Sequence, residues 1–159
     1  MRVIVFSDTH GNQAAADKII QDNNSCDHFI FLGDGTYEVN ILKSKYPEKS
    51  IFSVAGNCDK GIDPTSAVIE LFNTRIYMTH GHLYNVSEGI DDIVKNAKKE
   101  KAMIALFGHT HKRFYEEING IFVLNPGSAS IPKDSLPPSC AFIDISPYGI
   151  SCMIIDLNS

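Results

Sequence analysis

No apolar segment of the chain approaches the ~20 residues needed to span a bilayer as a helix, so no membrane partner is expected. The start, MRVIVFSDTH, has an apolar stretch only from Val3 to Phe6, and this runs straight into Asp8 and His10, unlike a secretory signal peptide. The four cysteines, Cys26, Cys58, Cys140 and Cys152, show no C-x-x-C spacing. Cys140 and Cys152 lie in apolar strand patterns and read as buried thiols, a disulfide being the alternative. A cytoplasmic setting is therefore expected. There is also no basic stripe: 14 Lys and Arg stand against 19 Asp and Glu, giving a formal charge of -5 and a pI near 5.6. Only Lys95, Lys98, Lys99 and Lys101 cluster, and they read as the solvated face of a helix rather than a nucleic-acid contact. Stable nucleic-acid binding is not expected. Linkers, repeats and low-complexity tracts are absent as well. With 43% apolar and 21% charged residues, the 159 residues are expected to fold as a single domain over 1–159 with a real core.

What the chain does contain is a series of apolar runs, each closed by polar residues. A strand at about 2–7 leads into the loop Asp8–Gly11 and a helix from about 12 to 23. A strand at 28–32, a helix near 37–45 that stops before Pro47, and a strand at 50–55 follow. This β-α-β-α-β order predicts a parallel sheet. SAVIELF and RIYMTH, around Asn73-Thr74, predict a hairpin, and Ser87 predicts the N-cap of a helix to about Lys101 with Ile90, Ile93, Val94 and Ala97 buried. The strand MIALF comes next. KRFYEEI and IFVLNPG flank Asn119-Gly120, and CAFIDI and ISCMIID flank Pro147-Tyr148-Gly149, two further hairpins. The stretch 131–139 reads as an ordered surface loop.

Five of the six histidines lie in three clusters at predicted strand ends. In order, the ends are Asp8-Thr9-His10, Gly33-Asp34, Gly56-Asn57, His80-Gly81-His82 and Gly108-His109-Thr110-His111. Strands that deliver N and O ligands at their C-terminal ends converge them in one crevice, the usual ligand site of an open α/β sheet. Two carboxylates, an amide oxygen and four imidazoles are too many for one tetrahedral zinc; they suit two ions joined by a shared carboxylate. Taken singly, Asp8 and Asp34 could merely cap the following helices. Histidines gathered at successive strand ends have no such structural explanation. His28 lies outside every cluster and reads as a strand-edge residue.

The ordered series D-x-H, G-D, G-N, H-G-H and G-H-x-H resembles the calcineurin-like metallophosphoesterase superfamily, in particular its small bacterial and archaeal phosphodiesterases. It runs from Met1 to about Asp156. The same fold is shared by a retromer subunit of eukaryotes. The resemblance implies an α/β fold, a four-layer α-β-β-α sandwich of two mixed sheets with flanking helices. It implies a first ion held by Asp8, His10, Asp34 and His111, and a second held by Asp34, Asn57, His80 and His109, with Asp34 as the bridge. It further implies hydrolysis of small phosphodiesters by a metal-bridging hydroxide, with no side chain assigned as the catalytic group. Mn²⁺ is the implied ion; Zn²⁺, Ni²⁺, Co²⁺ and Fe²⁺ also suit such N/O ligands.

Asn12, Asn57, Cys58 and His82 are candidate substrate contacts, with helix capping the competing reading for Asn12. Many superfamily members carry histidine after the G-N pair, where it is proposed to protonate the leaving oxygen. Here Cys58 takes that place. A thiol near pKa ~8.5 is a poorer match than imidazole near ~6.5. Asn125-Pro126-Gly127-Ser128 reads as a structural turn near the site, with phosphate contact through backbone N–H groups the alternative. The competing functions are a non-catalytic scaffold or binding protein on this fold and a phosphomonoesterase. All seven ligand positions carry a competent residue, which favours the enzyme. The expected partner is a small-molecule phosphoester, and a homo-oligomer is left open.

Overall fold

A computed structural model describes residues 1–157. The first apolar run becomes strand β1, Arg2–Phe6, whose Val3 to Phe6 are wholly buried. Helix α1 (Gln13–Asp22), β2 (His28–Phe31), α2 (Thr36–Lys45) and β3 (Ser50–Ser53) follow. β1 pairs with β2 and β2 with β3 in parallel, as the alternation predicts. Strands covered on both faces read as unbroken apolar runs, which is why VIVF and FIF lack polar alternation.

β4 (Ser66–Leu71) and β5 (Thr74–Thr79) form the expected antiparallel hairpin. Its turn is Phe72-Asn73, one residue before the expected pair, because Leu71 and Thr74 still pair in the ladder. Both turn residues have positive φ, 51° and 58°, as a two-residue type I′ connection requires. Helix α3 spans Asp91–Lys99 and starts later than expected. Ser87 instead lies in turns after a short 3₁₀ segment, His82–Tyr84, and the cap position falls to Ile90, with Asp91 and Asp92 in the first turn. Ile93 and Ala97 are buried, and the four clustered lysines are exposed. β6 (Ile104–Leu106), β7 (Arg113–Ile118), β8 (Ile121–Pro126), β9 (Ser139–Ser146) and β10 (Gly149–Asp156) complete the chain.

The strands make two mixed five-stranded sheets, ordered β10-β9-β1-β2-β3 and β4-β5-β6-β8-β7. Alternate residues of each strand serve different layers. Val3, Val5, Ile30 and Leu32 face the second sheet and join Ile76, Met78, Leu106 and Leu124. Ile4, Phe6, Phe29 and Phe31 point the other way, onto Ile19 and Ile20 of α1 and Val39 and Leu42 of α2. α3 covers the second sheet through Ile93 and Ala97 against Ala105, Phe107 and Val123. The result is the expected helix–sheet–sheet–helix sandwich. All four cysteines are free, so the disulfide alternative fails. Burial pushes the Cys140 thiol up to about 12. No helix among the described residues is long and apolar enough to cross a membrane.

Candidate metal centre

At one end of the sandwich the strand-end loops are tied to one another by backbone hydrogen bonds. The Asp8 N–H donates to Gly33 O (3.0 Å), His10 N–H to Asp34 O (3.0 Å) and Gly108 N–H to His80 O (2.9 Å). Neither candidate carboxylate caps a helix. The α1 cap is Asn12, whose Oδ1 accepts from Ala15 N–H at 3.0 Å, and α2 begins at Gly35, which has no side chain to offer. The capping explanation for Asp8 and Asp34 is thereby removed.

These carboxylates and imidazoles meet directly. Asp8 Oδ1 lies 3.2 Å from His111 Nε2 and 3.8 Å from His10 Nε2. Asp34 Oδ2 lies 3.4 Å from His80 Nε2 and 3.6 Å from His10 Nε2. His10 and His111 bring their Nε2 atoms to 3.1 Å. One Asp34 oxygen thus faces residues assigned to both ions, while its Oδ1 accepts from the Cys58 N–H at 2.8 Å. Two imidazoles are oriented from behind: His80 Nδ1 faces Leu32 O at 2.7 Å and His111 Nδ1 faces Ile131 O at 2.9 Å. A carbonyl at Nδ1 fixes the tautomer that leaves Nε2 as the free lone pair, the usual arrangement behind a metal-bound histidine. His109 donates its backbone N–H to Asp8 Oδ2 at 3.2 Å and sets its ring 5.1 Å from that of His80.

The residues fit a cation. Asp8 Oδ1 and His80 Nε2 are buried and have no aligned hydrogen-bond partner. Burial would push the Asp34 carboxyl up, but the facing His80 imidazole and the Cys58 N–H outweigh it and hold Asp34 well below the usual range. Burial would push His80 down, but the facing Asp34 carboxylate and the charge of Asp8 raise it. The bond to Asp8 raises His111, whereas burial and the neighbouring His80 lower His109 and His82. Three groups of donors lie mutually within 4.8 Å: Asp8–His10–His111, Asp8–Asp34–His80 and His10–Asp34–Cys58.

The remaining candidates are more dispersed. Asn57 is exposed and its Nδ2 lies 3.4 Å from Cys58 Sγ; no hydrogen bond joins it to the other six ligand candidates. Cys58 is exposed beside the centre, and partial desolvation of its thiol and the nearby Asp34 push its pKa up. His82 sets its ring 5.4 Å from His80. Asn12 spends its Oδ1 on the cap and lines a separate depression with Ala15, Ala129 and Leu157.

Sequence reasoning missed two carboxylates that hold the loops. Asp59 accepts four backbone N–H groups, from Asp34 (2.7 Å), Gly35 (2.8 Å), Thr36 (2.9 Å) and Gly56 (2.7 Å). Glu38, buried in the first turn of α2, accepts from the Gly11 N–H (2.6 Å) and the Thr9 hydroxyl (3.0 Å). The only signal for either was its position: Asp59 follows the G-N-C run, and an acid in a first turn is ordinarily credited to the helix dipole. The Asn125–Ser128 block is structural. The Ser128 hydroxyl donates to Asp8 O (2.8 Å) and the buried Asn125 amide to Gly108 O (2.9 Å). The N–H groups of Ser130 and Ile131 are spent on Ser128 Oγ.

Close approach explains two glycines. A Cβ on Gly56 would strike Asp34 Oδ1, and one on Gly33 (φ 100°) would fall 2.8 Å from His80 Nδ1. Five candidate ligands themselves take positive φ: Asp8 (57°), His10 (46°), Asp34 (59°), His109 (69°) and His111 (57°). Such residues occupy the left-handed region at an energetic cost and cluster at functional sites.

Two depressions flank the centre. One, of about 510 Å³, carries His10, Asp34 and Cys58 together with Tyr37, Asn40 and Lys60. The other, of about 620 Å³, begins at His109 and Thr110 on the second sheet.

Comparison with known proteins agrees with this geometry. The family model of the calcineurin-like phosphoesterase superfamily domain matches residues 1–147. The chain is similar to phosphodiesterase YfcE of Escherichia coli, 27% identical over 168 residues covering 91% of this chain and 88% of the relative. Its structure is similar to that of a predicted phosphoesterase from Streptococcus pneumoniae, with a TM-score of 0.80, 25% identity and 97% of each chain covered. Vps29 of Entamoeba histolytica complexed with zinc shares the fold, with a TM-score of 0.74 at 23% identity over 99% of this chain and 100% of that one. With the ordered motifs gathered at one sheet end and a family model spanning most of its length, the chain belongs to the calcineurin-like phosphoesterase superfamily.

Proposed function

We propose that this chain is a metal-dependent phosphodiesterase, a single domain over 1–159 that hydrolyses small phosphodiesters at a dinuclear centre. Asp8, His10, Asp34 and His111 would hold one ion, and Asp34, Asn57, His80 and His109 the other. The observation that carries this reading is the cluster of carboxylates and imidazoles in which the buried Asp8 Oδ1 and His80 Nε2 face charged or ring neighbours at 3.2 Å and 3.4 Å without an aligned hydrogen bond. Unpaired buried polar atoms of this kind are costly unless a ligand satisfies them. The phosphodiesterase and metallophosphoesterase names of similar proteins support a phosphoesterase in general.

Bound at these residues, two divalent ions would supply Lewis acidity, activating water and neutralising phosphoryl oxygens. The chain's own residues do the rest. Asp34 presents one oxygen towards His10 and His80 while the Cys58 N–H restrains the other. Leu32 O and Ile131 O keep the Nε2 atoms of His80 and His111 directed inward. Depressions on both sides of the cluster suit a diester, whose phosphorus bears two substituents, better than a monoester. No imidazole follows Asn57: Cys58 stands where many superfamily members carry the histidine proposed to protonate the leaving oxygen, so diesters with good leaving groups are favoured. The donor set lacks a thiolate among its seven members and accepts Mn²⁺ or another late divalent ion. The scaffold alternative rests on the Vps29 likeness, which concerns the fold alone.

The test is a rate panel over diesters, cyclic diesters and monoesters with Mn²⁺, run beside a metal analysis of the same sample. Two ions per chain with diester turnover is the expected result. Two ions per chain without turnover of any ester would overturn the enzymatic reading in favour of the scaffold.

A further inference from the structure

The depression on the second sheet has a lining that the metal chemistry does not call for. Its floor is apolar: Val86 and Phe107 are buried, and Ile90 and Phe114 are half-buried. Phe107 and Phe114 stand as a tilted aromatic pair with centroids 5.9 Å apart. Its rim is cationic. Lys112 follows the candidate ligand His111 directly, and the Lys133 N–H donates to His111 O at 2.9 Å, so both lysines are tied to the centre. Among the described residues neither forms an ion pair, whereas Arg113 is occupied by Asp134 and Asp156. Glu88 is the one carboxylate on the lining. The volume of about 620 Å³ falls within the roughly 300–1,000 Å³ of small-molecule sites.

We infer that this depression is a substrate subsite for one arm of the phosphoester, and that the arm is a planar aromatic group carrying a further negative charge. The inference rests on the phosphoester reading of the centre. The half-buried Phe114 ring, backed by the buried Phe107, offers stacking to a flat ring. Two uncommitted ammonium groups at the rim of an acidic protein attract a second anion, and as compact, flexible point charges they suit a phosphate or carboxylate of loose geometry. Continuity through His109 and Thr110 puts the ring beside the phosphorus being attacked, so the arm would orient the ester as well as hold it.

The inference is tested by calorimetric binding to the manganese-loaded protein of three product-like probes: methyl phosphate, adenosine 5′-monophosphate and adenosine 3′,5′-bisphosphate. Affinity is expected to rise at each step, by about tenfold for the ring and about threefold to tenfold for the second charge, the latter shrinking with added salt. In a Lys112→Glu/Lys133→Glu variant with retained manganese binding, the ratio of bisphosphate to monophosphate affinity should collapse towards one. In Phe114→Ala, the ratio of monophosphate to methyl phosphate affinity should fall. Equal affinities for all three probes, or ratios unchanged in these variants, would overturn the subsite and leave the centre untouched. Failure of every probe, methyl phosphate included, would overturn the phosphoester reading itself.

Discussion

Replacing Asp59 by alanine removes the single carboxylate on which the N–H groups of Asp34, Gly35, Thr36 and Gly56 converge at 2.7–2.9 Å. A donor stranded in a protein interior costs about 1–3 kcal/mol. The truncated side chain admits water to some of the four, so two uncompensated donors give a net loss of about 3–5 kcal/mol. For a chain of this size each kcal/mol lowers the melting temperature by about 2–4 °C, so Asp59→Ala should melt some 6–20 °C below the parent. Two loops would loosen together, since the same carboxylate links the residues around Asp34 to Gly56, and manganese affinity should fall with stability. Asp59→Asn, which keeps the shape but sets an amide NH₂ against two of the donors, should lie between. Acid sharpens the test. Burial would raise the Asp59 carboxyl, but the backbone hydrogen bonds outweigh it and hold it below its ordinary value. Its stabilisation is therefore present above the unfolded value of about 3.9 and lost as pH falls through the folded one. The gap between parent and Asp59→Asn should accordingly narrow below about pH 4. Thermal melts in chelator, followed by manganese titration, decide the matter. An Asp59→Ala protein within ~0.5 kcal/mol of the parent, with unchanged manganese affinity, would refute the argument.

Asp34→Asn keeps the side-chain size but drops the charge facing His10 and His80; bound metal should fall below two per chain and turnover should collapse, and two tightly held ions with intact activity would sink the dinuclear centre. Saturating Mn²⁺ should stabilise the chelator-treated protein by about 2.7 kcal/mol per site at ~100 times Kd, or about 5–11 °C, with Mg²⁺ giving less; identical melts with and without Mn²⁺ would contradict this. Cys58→His should flatten the dependence of kcat/KM on leaving-group pKa, by up to ~10²–10⁴-fold for poor leaving groups, while Cys58→Ala spares an activated diester. A large loss in Cys58→Ala on that diester would mean the thiol is needed after all.

Much of this molecule was legible because strands buried on both faces announce themselves as unbroken apolar runs, and the polar residues ending them have nowhere to go but the sheet end. That reasoning placed Asp8, His10, Asp34, His80, His109 and His111 together. It could not decide where a helix starts: Ser87 reads as an N-cap, but the turns at 85–88 delay α3 to Asp91. Nor could it find Asp59 and Glu38. Most of their partners are backbone N–H groups distant in sequence, which carry no residue identity, and a lone acid on a loop or in a first helical turn looks like surface. Asn57 marks a different limit. Its spacing is that of a ligand, yet its side chain lies exposed beside Cys58.

The positive φ angles at Asp8, His10, Asp34, His109 and His111 bear on how the chain would respond to selection. A non-glycine residue in the left-handed region forfeits about 1–2 kcal/mol, somewhat less for Asp and histidine. Five such residues represent on the order of 5 kcal/mol, a sizeable share of the 5–15 kcal/mol by which domains of this kind are stable. Laboratory evolution for thermal tolerance alone would therefore have an easy route open to it. Glycine at any of the five would relax the backbone, and the fold would harden as its chemistry drained away. Heat-hardened libraries grown without an activity screen should accumulate glycine and asparagine at these five positions as they do at Phe72 and Lys101, which are left-handed without any such chemistry.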